Sequence, residues 1–315
     1  MWALGPIIGH AACEGIVSQY DADSTAEEVT LGMDLRGKTA LITGVNSGIG
    51  YETMRVLALR GAHVLGTART PESGRAACDS VAGETTPLVL ELSDFSSVVA
   101  CADRVQAMGV EIDILICNAG AIFSELRQIN GLEAHFVINH LGHFILVNRL
   151  LDLVRAAAGG RVVIVGSRAH RSAPEDGIQF GDLSGASWFD RQAAYGHSKL
   201  ANGLHSLELS RRLEGTRATS NVLHPGVVRT NITRNLPGWQ QAAFRLYGYF
   251  FLKSLEEGAA TTCYVATHPD LANVSGCYFA DSRPATPNAN MQDPEMASRL
   301  WEVSESLTRD YLPGA

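Results

Sequence analysis

The feature that most constrains this fold is a strand, a glycine-rich turn and a helix that follow one another between residues 38 and 60. The apolar run at residues 38–42 is typical of a buried strand, and residues 51–60 have helical spacing. In the turn, Gly44 permits a tight bend, Gly48 lets the backbone approach a pyrophosphate, and Gly50 lets the helix pack close to the sheet. The helix N-terminus adds free N–H groups and a positive dipole end. The pattern therefore predicts a nucleotide site at Gly44, Asn46, Ser47, Gly48, Ile49 and Gly50.

Short apolar runs rich in β-branched residues recur along the chain, with helical patterns between them. They lie at residues 39–43, 63–67, 87–92, 112–117, 161–165, 220–223 and 276–279. Continuous apolar runs indicate strands buried on both faces, hence a parallel sheet, and regular strand–helix alternation indicates a doubly wound α/β fold. We therefore predict a single Rossmann-type domain at residues 36–315, with about seven strands and helices on both faces. Residues 1–35 are predicted to be an N-terminal extension.

Charge and cysteine content exclude several classes of protein. The net charge is −8, so no basic surface for nucleic acid is expected. Six cysteines occur without a C-x-x-C pair, which favours reduced thiols and a cytoplasmic location over a disulfide framework or a zinc site. His170, His197 and His224 lack metal-ligand spacing, so we expect structural roles for them and no bound metal. Residues 1–17 lack a basic start and are broken by polar residues, unlike a signal peptide or a membrane span.

Tyr195 and Lys199 lie four residues apart at the start of a helical pattern at residues 195–213, so they share one helix face. A free phenol has a pKa near ~10, and a nearby cation lowers it towards the range of a useful acid–base group. The pair alone fits equally well a packed tyrosine beside an exposed lysine. Ser167 strengthens the chemical interpretation, because it follows the strand at residues 161–165 and would face the ligand crevice of such a sheet.

The end of the second strand indicates the choice of nucleotide. Many NAD-binding sites place an acidic residue there, whereas this chain has Ala68 followed by Arg69. A carboxylate would repel a 2′-phosphate and a guanidinium pairs with one. Arg69 therefore favours NADP(H) over NAD(H), the alternative being a solvated loop charge.

Together these motifs resemble the short-chain dehydrogenase/reductase family. The resemblance covers about residues 35–309 and rests on the glycine turn, Asn118-Ala119-Gly120, Asn139, Ser167, Tyr195-x-x-x-Lys199 and Pro225-Gly226, in that order. Within the family the chain is most similar to the retinol-dehydrogenase-like branch, on residues 137–144, 195–202, 224–226 and 276–281.

The resemblance implies roles for individual residues. The implied catalytic residues are Ser167, Tyr195, Lys199 and Asn139, with Asn139 holding a water in a proton relay to Lys199. The implied cofactor-binding residues, besides the glycine turn, Arg69 and the Tyr195–Lys199 pair, are Glu91, Leu92, Asn118, Ala119, Gly120, Pro225, Gly226, Val228 and Thr230. Three positions depart from the family pattern: Glu91 stands where aspartate is usual, Cys117 replaces an asparagine, and Gly166 replaces a serine. The family also implies a homodimer or homotetramer, assembled through the helices at residues 132–153 and from residue 195.

Two segments are predicted to shape a substrate pocket. Residues 168–194, which carry Trp188 and Phe189, should form a wall, and residues of about 227–257 should cover the substrate. Within the second segment, residues 239–251 are dense in aromatic side chains, which fit a pocket cover, a core helix or a membrane-facing patch.

The sequence leaves two classes of function open. The first is an NADP(H)-dependent oxidoreductase that interconverts a hydrophobic alcohol and its ketone or aldehyde by hydride transfer. The second is a non-catalytic NADP(H)-binding regulatory or scaffold protein. A binding module needs the glycine turn but not Ser167, Tyr195, Lys199 and Asn139 together, so their joint presence favours the enzyme.

Overall fold

A central sheet of eight strands organises the chain, which is seen in a computed structural model that describes residues 13, 15–228 and 253–314. The strands of the described residues are β1 Thr39–Thr43, β2 His63–Ala68, β3 Thr85–Val89, β4 Ile114–Cys117, β5 Gln128–Ile129, β6 Leu132–Glu133, β7 Arg161–Val165, β8 Thr219–His224, β9 Tyr278–Ala280 and β10 Arg283–Pro284. The sheet has the order β10-β9-β8-β7-β4-β1-β2-β3, and each neighbouring pair is parallel except β10 and β9. A doubly wound α/β fold, as predicted, is confirmed.

Helices cover both faces of the sheet. The α-helices of the described residues are α1 Ala26–Val29, α2 Gly48–Leu59, α3 Pro71–Asp79, α4 Phe95–Ala107, α5 Gly142–Ala156, α6 Arg191–Arg212, α7 Leu255–Thr267 and α8 Pro294–Thr308. A π-helix, Phe136–Leu141, runs directly into α5. The inner strands β1, β4 and β7 are buried almost throughout, because helices pack on either side of them.

The sheet has one strand more than predicted, the two-residue β10. It is reached through a tight turn in which Asp281 and Ser282 adopt φ of 49° and 56°. Two successive positive φ values produce the primed turn that joins antiparallel strands, and glycine or asparagine usually occupies it. The sequence lacks that signal here, so β10 could not be predicted.

The third strand ends at Val89, so Glu91 and Leu92 lie just beyond it rather than within it.

A second, two-stranded sheet was not predicted although its signal is present. Asn130 and Gly131 have φ of 52° and 79°, and they join β5 to β6 as a two-residue hairpin turn. An Asn-Gly pair is a strong short-range hairpin signal. The hairpin lies at the rim of the cavity described below.

Both helices predicted to form a dimer interface are covered within one chain. Helix α6 is buried along most of its length, and α8 packs on it through Leu300 and Trp301. Phe144 of α5 also contacts Trp301, with ring centroids 4.9 Å apart. The predicted homodimer or homotetramer stays a prediction, and it would have to use another surface or move α8. Among the described helices, Phe136–Ala156 is long and apolar enough to span a membrane, and 72% of its apolar window is buried inside the fold.

The described part of the N-terminal extension packs on the body of the protein. Helix α1 begins with a capping box formed by Thr25 and Glu28. Ala26 and Val29 are fully buried, beside α2 and α7.

The expectation that all the thiols are reduced is wrong in this structure. Cys13 and Cys277 form a disulfide whose Cα atoms lie 5.9 Å apart, across a sequence separation of 264 residues. The bond ties the extension to the start of β9. The other four cysteines are free and buried. Disulfide connectivity depends on the fold rather than on local spacing, so no pattern in the sequence indicates this pairing.

Some predictions fall on residues outside the described ranges. They concern Thr230, the aromatic residues of the 239–251 cluster, and residues 229–252 of the predicted substrate-covering segment.

Candidate active site

A cavity of about 710 Å³ opens at the carboxyl ends of the parallel strands, where doubly wound folds bind ligands. Seventeen of the residues predicted to bind cofactor line it, together with Ser167. They are Gly44, Asn46, Ser47, Gly48, Ile49, Gly50, Arg69, Glu91, Leu92, Asn118, Ala119, Gly120, Tyr195, Lys199, Pro225, Gly226 and Val228. The fold therefore brings the predicted cofactor residues to one place, and Thr230 lies outside the described part of the chain.

The glycine turn fits a phosphate group by its geometry. Gly44 and Gly48 have φ of 77° and 65°, which residues with a side chain adopt at a cost. A Cβ at Gly50 would collide with the Gly44 carbonyl and with the Asn118 amide. Ser47, the N-cap of α2, makes no side-chain capping bond. The first N–H groups of α2 are thus left available to an anion at the positive end of the helix.

Thr43 joins this turn to the end of β4, a role that the sequence analysis missed. Its hydroxyl accepts hydrogen bonds from the N–H groups of Asn118 and Ala119, both at 2.9 Å. The Asn118 side chain donates back to the Thr43 carbonyl at 2.8 Å. The Thr43 hydroxyl also lies 2.9 Å from His143 Nε2, and His143 Nδ1 lies 3.0 Å from the Asn139 carbonyl. Since that carbonyl can only accept, Nδ1 carries the proton and Thr43 donates to Nε2.

At the end of β2 the cavity has an exposed cation. Arg69 lines the cavity, and no ion pair with another described residue engages its guanidinium. Opposite, the Glu91 carboxylate is occupied locally, since it accepts hydrogen bonds from the backbone N–H and the hydroxyl of Ser93, at 3.1 and 2.7 Å. A side chain that pairs with a phosphate must be positive and accessible, and Arg69 is both.

Ser167, Tyr195 and Lys199 meet at the inner end of the cavity. Asp190 caps α6 through the N–H groups of Gln192 and Ala193, which places Tyr195 within the first turns of the helix. The Tyr195 phenol and the Ser167 hydroxyl both line the cavity there, and the Ser167 side chain lowers the pKa of the phenol. Lys199 Nζ lies 5.8 Å from the centroid of the Tyr195 ring and donates to the Val165 carbonyl at 3.0 Å. The arrangement gives a proton donor and a second hydroxyl at one point on the cavity surface.

Burial shifts the pKa values of this pair in opposite directions. It raises the pKa of Tyr195 to about 12, against the effect of the Ser167 side chain, which lowers it. It lowers the pKa of Lys199 to about 8. The expectation that Lys199 brings the phenol below its usual pKa is therefore wrong for the protein alone, because burial of the phenol is the largest cause of its pKa shift and raises the pKa.

Asn139 lies directly behind the cavity, within the π-helix, and is fully buried. Its side-chain oxygen accepts from the Ala121 N–H at 2.8 Å, and its amide donates to the Ala121 carbonyl at 3.1 Å and to Ser198 Oγ at 3.0 Å. The side chain therefore fixes the loop after β4. Its predicted part in a water relay to Lys199 stays a prediction.

The wall beyond Tyr195 is built by residues that the sequence analysis did not assign. Mostly apolar side chains line it, with one cation and one amide: Ala121, Ile122, Phe123, Arg127, Gln128, Ile129, Ala134 and Ile138. The Arg127 guanidinium stacks over the Phe123 ring, 4.7 Å from its centroid.

The prediction that residues 168–194 form this wall is wrong for the described structure, because none of them lines the cavity. The neighbouring residues on either side of the segment, Ser167 and Tyr195, do line it. The segment lies behind the wall instead. Trp188 packs on His197, with ring centroids 4.9 Å apart, and its indole donates to the Asp182 carbonyl.

The three histidines expected to be structural each make hydrogen bonds within the fold. His170 Nδ1 donates to the Ser167 carbonyl at 2.7 Å, His197 Nε2 accepts from the Gln179 N–H at 3.1 Å, and His224 Nδ1 accepts from the Gly226 N–H at 2.9 Å. His170 and His224 thereby shape the two turns on either side of the catalytic end of the cavity.

Comparison with known proteins agrees with this geometry. A family model for short chain dehydrogenase matches residues 38–241. The chain is 40% identical over 326 residues to the short-chain dehydrogenase TIC 32 B, chloroplastic, of Brassica napus, covering 99% of this chain and 100% of that protein. It is 41% identical over 284 residues to retinol dehydrogenase 12 of Mus musculus, covering 88% of each. It is 37% identical over 309 residues to the WW domain-containing oxidoreductase of Homo sapiens, covering 93% of this chain and 73% of that protein.

Solved structures share the fold over most of the chain. A putative uncharacterized protein from Mycobacterium Paratuberculosis superposes with a TM-score of 0.73 at 32% identity, over 89% of this chain and 97% of that one. The Pseudomonas aeruginosa RhlG/NADP active-site complex does so with a TM-score of 0.63 at 27% identity, over 78% and 95%. The chain therefore belongs to the short-chain dehydrogenase family of oxidoreductases, in its retinol-dehydrogenase-like branch.

Proposed function

We propose that this protein is an NADP(H)-dependent oxidoreductase that interconverts a hydrophobic primary or secondary alcohol and its aldehyde or ketone by hydride transfer. The observation that carries the proposal is the position of Tyr195, Ser167 and Lys199 at the inner end of the cavity whose other end is the glycine turn. A nucleotide held by that turn would extend along the cavity towards the hydroxyl pair.

The choice of NADP(H) rests on Arg69. Its exposed guanidinium lies at the end of β2, where an acidic side chain would select NAD(H). The uncapped N-terminus of α2 suits the pyrophosphate. Gly50 has no Cβ, which would collide with the Gly44 carbonyl, so the turn can keep this conformation. One structural relative is an NADP complex, which agrees with this choice.

The side chains divide the work at the substrate oxygen. Tyr195 exchanges a proton with that oxygen, and Ser167 orients it by a hydrogen bond. Because the raised pKa keeps the phenol protonated at neutral pH, Tyr195 is in the form that donates to a carbonyl during reduction. Lys199 provides the cation beside the phenol, and Asn139 holds the adjoining loop. The nicotinamide cofactor supplies or accepts the hydride.

The substrate class follows from the wall beyond Tyr195. Ile122, Phe123, Ile129 and Ile138 give that end of the cavity an apolar lining, which suits a hydrophobic substrate. Relatives named retinol dehydrogenase 12 and 14 support the same class. A cytoplasmic homo-oligomer stays part of the proposal, and the Cys13–Cys277 disulfide is the feature that argues against the location.

Turnover of a panel of hydrophobic carbonyls with NADPH tests the function. Tyr195→Phe keeps the ring and removes the donated proton, so we expect turnover to fall by about 10²–10⁴ while NADPH binding is retained. Hydride transfer within threefold of wild type, measured in a single turnover, would show that Tyr195 is not the acid.

The rival function is a non-catalytic NADP(H)-binding regulator or scaffold. It predicts tight NADPH binding and no turnover by wild type with any carbonyl in the panel. It would also predict that Tyr195→Phe and Ser167→Ala leave the protein's behaviour unchanged. The presence of all four catalytic residue types in one place favours the enzyme.

A further inference from the structure

Glu133 and His135 form a buried pair beside Tyr195 that the proposed chemistry does not use. Both side chains are essentially inaccessible, and His135 Nδ1 lies 2.6 Å from the Glu133 carboxylate. The same carboxylate accepts hydrogen bonds from the backbone N–H groups of His135 and Phe136, both at 3.0 Å. The His135 ring centroid lies 6.0 Å from that of Tyr195. A charged group this deeply buried next to a reactive tyrosine requires an explanation.

The partners of His135 determine its protonation state. Its Nε2 receives the backbone N–H of Phe123 at 2.8 Å. Because an amide N–H can only donate, Nε2 carries the lone pair and the proton resides on Nδ1, where it is donated to Glu133. The result is a directed chain from the Phe123 N–H through a neutral imidazole to an ionised carboxylate. Glu133 thus selects the tautomer that can hold Phe123.

Phe123 is part of the substrate-side wall, so its position matters for what the cavity admits. Its ring centroid lies 5.2 Å from the His135 ring, and the Arg127 guanidinium lies over the ring. Asn139 anchors the same loop two residues earlier, at Ala121, through both the N–H and the carbonyl. The loop is therefore held at one point by Asn139 and at a second by His135, with the Phe123 ring fixed between the second anchor and the cavity.

We propose that His135 is a positioning residue that sets substrate selection. Its Nε2 fixes the Phe123 backbone so that the Phe123 ring is a rigid wall beside Tyr195, and Glu133 keeps the imidazole in the required tautomer. This rests on the proposed function, since it concerns the carbonyl that the cavity accepts. Capping of the helix that begins at Phe136 is a separate contribution of Glu133 and does not need His135 to reach Phe123.

Two substitutions at position 135 separate the two ends of the imidazole. His135→Asn keeps an N–H near the position of Nδ1 but cannot reach Phe123, whereas the matched control, His135→Gln, places an amide oxygen where Nε2 accepts. We expect His135→Asn to raise KM for a bulky hydrophobic carbonyl about five- to tenfold, the effect of losing one anchoring hydrogen bond. The KM values for a small aldehyde and for NADPH should change less than about twofold, and His135→Gln should restore KM for the bulky carbonyl.

Hydrogen exchange of the Phe123 amide gives a readout that does not depend on turnover. In His135→Asn this amide should exchange at least about tenfold faster than in wild type, and in His135→Gln at the wild-type rate. An unchanged exchange rate in His135→Asn, or an equal rise in KM for small and bulky carbonyls, would overturn the proposal. If wild type reduces no carbonyl, the proposed function fails, and the exchange rates still decide whether His135 holds Phe123.

Phe123→Ala keeps the test decisive should His135→Asn not fold. It removes the ring and leaves the Glu133–His135 pair intact, so it should reproduce the selective rise in KM for the bulky carbonyl. A wall that does not contribute to selection would leave the ratio of kcat/KM for bulky and small carbonyls at its wild-type value, and that result would also overturn the proposal.

Discussion

Replacing Lys199 by methionine should stabilise the protein while it removes the cation from the active site. Lys199 is 3% exposed, and its ammonium donates to the Val165 carbonyl. Burial lowers its pKa from the usual 10.5 to about 8. Each pKa unit corresponds to about 1.4 kcal/mol, so keeping the ammonium charged in the fold at pH 7 costs about 3 kcal/mol of stability. The hydrogen bond to Val165 returns about 1 kcal/mol. We therefore expect Lys199→Met to raise the free energy of unfolding by about 2 kcal/mol at pH 7.

The sign of the pH dependence follows from the same shift. Between pH 8 and pH 10.5 the unfolded chain keeps a proton on Lys199 that the folded protein has lost. The stability of wild type therefore rises with pH in this window, and the stability contributed by the neutral amine is lost as the pH falls towards 8. The advantage of Lys199→Met should be constant below pH 8, should fall by about 1.4 kcal/mol per pH unit above it, and should vanish at about pH 9.5. The buried free cysteines are present in both proteins, so their contributions cancel in the difference.

Urea unfolding of both proteins at several values from pH 7 to pH 10 measures this difference. Lys38→Met is the matched control, because Lys38 is 44% exposed and pairs with Asp113, and we expect no gain in stability from it. If Lys199→Met is less stable than wild type at pH 7, or if its advantage is the same at pH 10, the ammonium is not desolvated as argued. Turnover should fall in Lys199→Met under all of these conditions. The effect of the cation on stability would then be separated from its effect on catalysis.

Three further outcomes are expected. Wild type should bind NADP(H) at least about tenfold more tightly than NAD(H), about 1.4 kcal/mol, and Arg69→Ala should remove most of that preference in calorimetric titrations; tighter binding of NAD(H) by wild type would contradict the role of Arg69. Cys13→Ser should lower the free energy of unfolding by about 2–5 kcal/mol, and reduction of wild type should lower it by the same amount. Reductant should have no further effect on the variant. Alkylation of all six cysteines in unreduced protein would show that the bond is absent and would favour the predicted cytoplasmic location. Light scattering at micromolar concentration tests the predicted homodimer or homotetramer, and because α8 covers α6, Trp301→Ala should change stability rather than assembly.

The parts of the fold that could be predicted are those with a local signal. Apolar runs located every strand of the central sheet except β10, and the glycine spacing located the turn before α2. The carboxyl ends of parallel strands meet at one edge of a sheet, so the strand assignments also predict that Ser167 faces the ligand crevice. The Asn130-Gly131 hairpin also has a local signal, the Asn-Gly pair itself, so it is among the elements that a sequence can predict.

The parts that could not be predicted depend on contacts between distant segments. Cys13 and Cys277 meet only because the extension folds back across α7 and β9. The cavity wall is another case: residues 168–194 carry the aromatic residues, yet Phe123 and Ile129 reach the cavity. Aromatic content shows that a segment will be buried somewhere, but it does not show which partner buries it.

Burial also accounts for the error in the chemistry, the pKa of Tyr195. Sequence spacing shows that a lysine lies near the phenol, and from spacing alone the cation should lower the pKa of the phenol. In the fold both groups leave water, and the desolvation of each charged form raises the pKa of Tyr195 and lowers the pKa of Lys199. In the Glu133–His135 pair, by contrast, each polar atom has a geometrically matched partner. What distinguishes the two buried pairs is therefore the number of hydrogen bonds that each charge receives. Among the described residues Glu133 receives three, whereas the Lys199 ammonium makes one hydrogen bond, to a backbone carbonyl, so little offsets the desolvation that lowers the pKa of Lys199.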